Sequence, residues 1–242
     1  MKFSTANTKL KKLQKLTGKR VYSFGLLSGH TCPGAKDCLA MVIYDWAKDN
    51  YELKDGPGQK FRCYAASQEM QYTGVYNHRL GNWEAIDKLD SSQQIVDHLD
   101  KVFPVKAEII RIHDAGDFFK KKYFYAWILL ALRHPDVVFY AYTKMNPFWV
   151  EFRDQIPNNM ILTASRGGKW DHLIKSHSLR ESTVVEHEWQ AREMGLSIDV
   201  DDSIASDPTR RNENFALMIH GQGPKGSDQA KLHYSRKVKN SR

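Results

Sequence analysis

Three cysteines, Cys32, Cys38 and Cys63, follow one another as Cys-x5-Cys-x24-Cys. The count is odd, and no apolar signal stretch follows the basic first twenty residues, so a disulfide framework is not expected. Thiolates are soft donors, and zinc and iron–sulfur clusters are the centres such a set would take. Cys32 and Cys38 share the loop His30-Thr-Cys-Pro-Gly-Ala-Lys-Asp-Cys38, which can turn both thiols toward one point. Cys63 comes after the Gly56-Pro-Gly58 turn, which would bring it back to them. Three thiols leave one position open for chemistry, or leave it to His30 in a closed structural zinc site. The plain alternative is three half-buried core cysteines.

A second constellation is His113-Asp-Ala-Gly-Asp117. The glycine permits a tight turn and close approach of a ligand, while Asp114 and Asp117 could move protons. Asp117 could instead cap a helix over 123–132. Lys144 ends the apolar run Phe139-Tyr-Ala-Tyr-Thr143 and could meet an anionic ligand, or be the first solvated residue after a strand. Arg166 stands beside Gly167 and Gly168 as an anion cradle, without the spacing of a nucleotide-triphosphate loop. Asp199, Asp201 and Asp202 form an acidic run, and His220 and Lys225 flank a glycine-rich loop.

These groups need elements that bring them together. Apolar runs at Val21–Leu27, 108–112, 137–142, Met160–Thr163, 183–186 and 215–219 predict strands. Helical spacing over 86–102 and 119–131 lies between them. Strands alternating with helices predict a parallel sheet in a single α/β domain, wound as a full or partial β/α barrel. Each predicted strand runs into polar or titratable residues, which places the working face at the carboxyl ends. The turn-rich segment 28–76, with all three cysteines, fits that alternation poorly and reads as an insertion after the first strand.

The chain has 242 residues, 41% apolar and 26% charged, ample for one large core. Its net charge of +8 is uneven: residues 1–20 carry seven basic and no acidic side chains, and residues 231–242 carry five and none. The body between them is therefore acidic by four. The basic ends could hold nucleic acid through phosphate contacts, or simply be solvated. No run of eighteen apolar residues occurs, so a membrane helix is not expected and the protein reads as cytoplasmic.

The strings Ser28-Gly-His-Thr-Cys-Pro-Gly-Ala-Lys-Asp-Cys38 and Phe61-Arg-Cys-Tyr-Ala65 resemble the phage-associated gene-product-88-like family. So do Arg111-Ile-His-Asp-Ala-Gly-Asp117, Phe139-Tyr-Ala-Tyr-Thr-Lys144, Leu162-Thr-Ala-Ser-Arg-Gly-Gly168 and Phe215-Ala-Leu-Met-Ile-His-Gly221. That resemblance implies a phage protein working in the host cytoplasm, and no particular reaction. The three cysteines after a first strand are also similar to radical S-adenosylmethionine proteins, although the Cys-x3-Cys-x2-Cys spacing is absent. This second resemblance implies a [4Fe–4S] cluster on Cys32, Cys38 and Cys63, with S-adenosylmethionine as a further cofactor. Asp114, Asp117, Lys144, His113, Arg166 and His220 would line its pocket. A third resemblance joins His113-Asp-Ala-Gly-Asp-Phe118 and Asp202-Ser-Ile-Ala-Ser-Asp207 to tRNA-guanine transglycosylases, and implies base exchange through Asp117 and Asp202. The remaining expectation is a non-enzymatic, zinc-stabilised nucleic-acid-binding module.

Overall fold

The computed structural model describes residues 1–5, 7–219 and 231. The chain opens with α1 (Thr8–Thr17) and β1 (Val21–Phe24), then a hairpin of β2 (Ala40–Asp45) and β3 (Asn50–Asp55). Helices α2 (Tyr64–Gln71), α3 (Thr73–Asp87) and α4 (Ser92–Lys101) lead to β4 (Ile109–Ile112). Then follow α5 (Lys121–Arg133), β5 (Val138–Thr143), α6 (Asn146–Phe152), β6 (Met160–Ser165), α7 (His172–Ser176) and β7 (Glu181–Val185). The last elements are α8 (Glu188–Glu193), β8 (Ser197–Ile198), α9 (Ser203–Ser206) and β9 (Phe215–Met218).

Seven strands form one sheet in the order β1-β4-β5-β6-β7-β9-β8, with every neighbouring pair parallel. All six apolar runs became strands of this sheet, as expected of an α/β domain. The full barrel is corrected: the sheet is open, with β1 and β8 at its edges. Up to β7 each crossover moves the chain one strand further, which is the winding of a barrel. β9 then returns between β7 and β8, and the advance toward β1 ends. The free side of β1 is already met by the N-terminal segment, through an antiparallel bridge from Ser4 to Ser23.

Alternation along the strands sorts their side chains onto two faces. Phe24, Ile110, Ile112, Phe139, Ala141 and Leu162 turn to α4 and α5, where Leu99, Tyr123 and Trp127 complete the main core. Val21, Ile109, Tyr140, Ile161 and Phe215 turn to the other face, against Leu10 and Leu13 of α1 and Ile204 and Ala205 of α9. The basic N-terminus is thus largely a helix docked on the sheet. The Asn7 side chain accepts from the Lys9 amide to start α1, and Gly18 ends it with a left-handed φ of 70°.

The insertion between β1 and β4 contains the antiparallel hairpin, in which Tyr44 pairs with Tyr51, followed by α2. The hairpin strands are at most half-buried on most positions, which hides them from a search for apolar runs.

Candidate functional site

A cleft of about 1250 Å³ opens at the carboxyl ends of β1, β4, β5 and β6. Cys32, Cys38, Cys63, Asp114, Asp117 and Lys144 all line it. Residues from four separate loops therefore meet at one face, as the strand-end argument requires.

Close backbone contacts fix the cysteine loop. Gly29 takes a φ of 73°, and a Cβ there would lie 2.4 Å from the Ala40 carbonyl oxygen, so only glycine makes this turn. A Cβ on Gly34 would lie 2.6 Å from the Lys144 carbonyl oxygen. Ala35 bridges to Gly168, and the Asp37 amide donates to the Gly167 carbonyl at 3.0 Å. The Asp37 carbonyl in turn accepts from the amides of Lys60 and Phe61, which carries Cys63 back to the first two cysteines.

All three cysteines are free. Burial pushes the Cys32 thiol well above its ordinary range, and negative charge on Asp117, Cys63 or Cys38 pushes it further. Burial raises Cys63 to about 11, with Cys38 adding to the rise and the Ala66 and Ala65 amides opposing it. Burial also raises Cys38, while the Lys144 ammonium works against it. Cys32 feels both other thiols and Cys63 feels Cys38, and all three are raised away from ionisation at neutral pH. Among the described residues, no three His, Cys, Asp or Glu are disposed to hold a single metal ion.

Asp117 does not cap the following helix: that helix begins at Lys121 with Lys120 as its N-cap. Its carboxylate accepts instead from Thr143 Oγ1 at 2.6 Å, the Lys144 amide at 2.8 Å and the Phe118 amide at 2.7 Å. It staples the end of β4 to the end of β5 and so fixes where Lys144 leaves the strand. Burial raises its carboxyl despite these three donors.

Asp114 accepts from Arg79 Nη2 at 3.0 Å, and Arg79 Nη1 donates to Glu69 at 2.9 Å. Glu69 also accepts from the Ser28 amide and hydroxyl, tying α2 and α3 to the loop after β1. Room for Asp114 depends on Gly25, since a Cβ there would lie 2.3 Å from Asp114 Oδ1. Arg79 and Glu69 are structural supports of the cleft that the sequence does not reveal. They lie ten positions apart on two helices, with no motif linking them.

Other expected site residues point elsewhere. His30 does not line the cleft; its Nε2 lies 2.8 Å from the Val42 carbonyl and its ring lies against Trp83. The Gly29 turn carries it toward the hairpin. Arg166 is ion-paired with Glu181 away from the cleft, since the chain after β6 continues alongside β7. His220 lies outside the described residues.

His113 borders the cleft, yet its ring is a core ring: Nε2 lies 2.9 Å from the Tyr123 hydroxyl and Phe118 packs edge-on against it. Burial, aided by the Arg111 charge, lowers its pKa to about 3. The unfolded chain takes up this proton below its ordinary value of 6.5 and the folded chain does not. Stability from this group is therefore complete above that pH and declines as pH falls toward 3. His113→Asn keeps a residue tolerant of the left-handed φ of 72°. Urea unfolding between pH 7 and about pH 4 is expected to show a shallower acid decline for this variant than for the parent. Equal declines would contradict the assignment.

Asp202 is fully buried behind the cleft. Arg111 Nη1 donates to it at 2.7 Å, Lys9 Nζ at 2.9 Å, Tyr140 at 3.0 Å and Tyr142 at 3.1 Å. With four donors on two oxygens it has no accessible lone pair for a substrate.

Among the described residues, no helix is long and apolar enough to cross a membrane. No solved structure matches the fold significantly. The Gene 88 protein of Mycobacterium phage L5 is 32% identical over 108 residues, covering 41% of this chain and 45% of that protein. The Gene 88 protein of Mycobacterium phage D29 matches to the same extent. The chain thus aligns with less than half the length of these relatives. A family model described as Gene product 88 matches residues 1–239, nearly the whole sequence. The chain belongs to the gene product 88 family.

Proposed function

We propose that the protein is an iron–sulfur enzyme whose Cys32, Cys38 and Cys63 hold a [4Fe–4S] cluster, with the substrate in the adjoining cleft. The observation that carries this reading is the meeting of three free cysteines, spread over 32 positions of sequence, in one cleft at the strand ends. The donor type suits the group, being three half-buried free thiols on one cleft. Tetrahedral binding of one zinc at bonds of about 2.3 Å would need sulfurs about 3.8 Å apart. Among the described residues no three such donors are disposed around a single ion, so one zinc on these thiols is not the centre proposed.

A cluster with three protein ligands supplies electron transfer and one open iron for a ligand from the cleft. The barrel-like advance of the sheet and the position of the cysteines after its first strand support a radical form of this chemistry, with S-adenosylmethionine as the cofactor to test. A volume of about 1250 Å³ exceeds that of most sites for one small molecule and has room for a cofactor and a substrate together. Exposed Lys11, Lys12 and Lys15 on α1 make nucleic acid, in the cytoplasm of an infected cell, the first substrate class to try.

The test is iron, zinc and acid-labile sulfide content, with a visible spectrum, on protein purified without oxygen. The expected result is brown protein with about four irons and four sulfides per chain. Colourless protein carrying one zinc, or no metal, would overturn the reading.

A further inference from the structure

Arg111 lies on β4 two positions after Ile109, so it turns to the face of the sheet that α1 covers. The residue is only 7% exposed, and it lines the cleft. Its Nε donates to the His113 carbonyl at 3.2 Å and its Nη1 to Asp202 Oδ2 at 2.7 Å. The guanidinium lies over the Tyr142 ring, 5.3 Å from the centroid, which fixes its plane. Among the described residues Nη2 has no partner. A buried, rigidly held guanidinium therefore keeps unused protons beside the cleft.

Lys9 stands next to it. Its Nζ donates to the other Asp202 oxygen at 2.9 Å, which leaves two of its three protons. Lys9 lines the cleft together with Asn7 and Thr8, so the N-terminus of α1 opens on the same place. That helix has no acidic residue in its first turn, and its end adds partial positive charge. Two cations thus share one carboxylate. The other carboxylates nearby are committed. Asp199 accepts the Ala205 amide at 3.0 Å and the Asp201 amide at 3.4 Å, and burial beside Asp202 favours its neutral form. Asp114 is paired with Arg79. A surplus of positive charge in a poorly solvated setting is left facing the cleft.

We propose that Arg111, Lys9 and the N-terminus of α1 form a phosphate-binding subsite of the cleft, which takes the phosphate of a nucleotide or of a nucleic-acid strand. Donors from a strand, a lysine and a helix end match an anion with several oxygens. Asp202 holds the two cations together without neutralising both. The inference does not depend on a cluster at the cysteines. Failure to bind phosphate would leave that reading untouched, and protein without iron would leave this one untouched.

The test is calorimetric titration of the full chain with inorganic phosphate, adenosine monophosphate, adenosine, and a single-stranded oligonucleotide bearing a 5′-phosphate. The monophosphate is expected to bind about tenfold or more tightly than adenosine, the gain from charge-assisted hydrogen bonds. Asn7→Asp keeps a side-chain cap on α1 and places a negative charge at the subsite. It is expected to lose about tenfold or more in affinity for the monophosphate, with its melting temperature maintained. Arg111→Lys retains a charge for Asp202 but lacks the fork, and a similar loss is expected. Lys36→Gln, exposed and away from the cleft, should bind like the parent. Tighter binding of the oligonucleotide than of the monophosphate would identify a strand as the source of the phosphate, and the reverse a free nucleotide. Adenosine binding as tightly as the monophosphate would overturn the inference, as would parent-like affinity in Asn7→Asp or no binding of any phosphate compound. If Arg111→Lys fails to fold, Asn7→Asp decides alone.

Discussion

Serine in place of Cys32, Cys38 or Cys63 is expected to strip the iron from protein prepared without oxygen. The change removes one sulfur and leaves the loop geometry alone. Serine oxygen is a hard, poorly ionising donor, whereas iron in a cluster prefers thiolate. Loss of an outer-shell partner alone costs roughly 10–100-fold in metal affinity, and loss of a ligand should exceed that. The three variants should behave alike, because all three thiols line the same cleft. His30→Ala supplies the contrast: its ring turns to the Val42 carbonyl and its removal should leave the iron in place. Iron and sulfide analysis with circular dichroism separates ligand loss from unfolding. Full retention of iron in all three serine variants would end the cluster reading. Loss in His30→Ala with an intact fold would restore histidine as a ligand.

Asp202→Asn is expected to destabilise the fold by about 3–5 kcal/mol, the range for breaking a buried ion pair from one side. Both Arg111 and Lys9 lose their carboxylate, and Arg111 is itself buried. Asparagine tolerates the left-handed φ of 63° at this position, so backbone strain does not confuse the result. Burial tends to raise the Asp202 carboxyl, but the charges of Arg111 and Lys9 outweigh it and hold the pKa near 2. Since the folded value lies below the ordinary 3.8, the stabilisation is complete above that pH and is lost as pH falls toward 2. Urea unfolding at neutral pH measures the loss, and repetition at low pH should narrow the gap between parent and variant. A difference under about 1 kcal/mol at neutral pH would show that the ion triad carries no structural weight. The same variant bears on base exchange: a residue with four protein donors and no exposure holds α1 and α9 on the sheet and does not attack a sugar.

Much of this architecture is readable from local pattern. Runs such as Glu108-Ile-Ile-Arg-Ile112 and Val137-Val-Phe-Tyr-Ala-Tyr142 are apolar on both sides because both faces of the sheet are covered, by α5 on one side and by α1 and α9 on the other. The hairpin was not readable, since Tyr44, Trp46 and Tyr51 alternate with Asp45, Lys48 and Glu52 on a largely solvated ribbon. Nor was α1 legible as part of the core: two buried leucines, Leu10 and Leu13, stand among seven basic residues.

The kind of each main element and the kind of residue at each strand end are written locally in the chain. Both follow from patterns a few residues long, such as a period of two, a period near 3.6, or a glycine after an apolar run. Which polar groups remain turned toward the cleft, and which are consumed in holding the molecule together, is set by the folded arrangement. Asp117 is taken by Thr143, Arg166 by Glu181, and Asp202 by Lys9 193 positions away, whereas the three cysteines line the cleft. Those pairings depend on the order in which the strands lie and on where the sheet stops advancing. Strand order and sheet closure arise from packing between distant segments, and no local spacing in the chain records them.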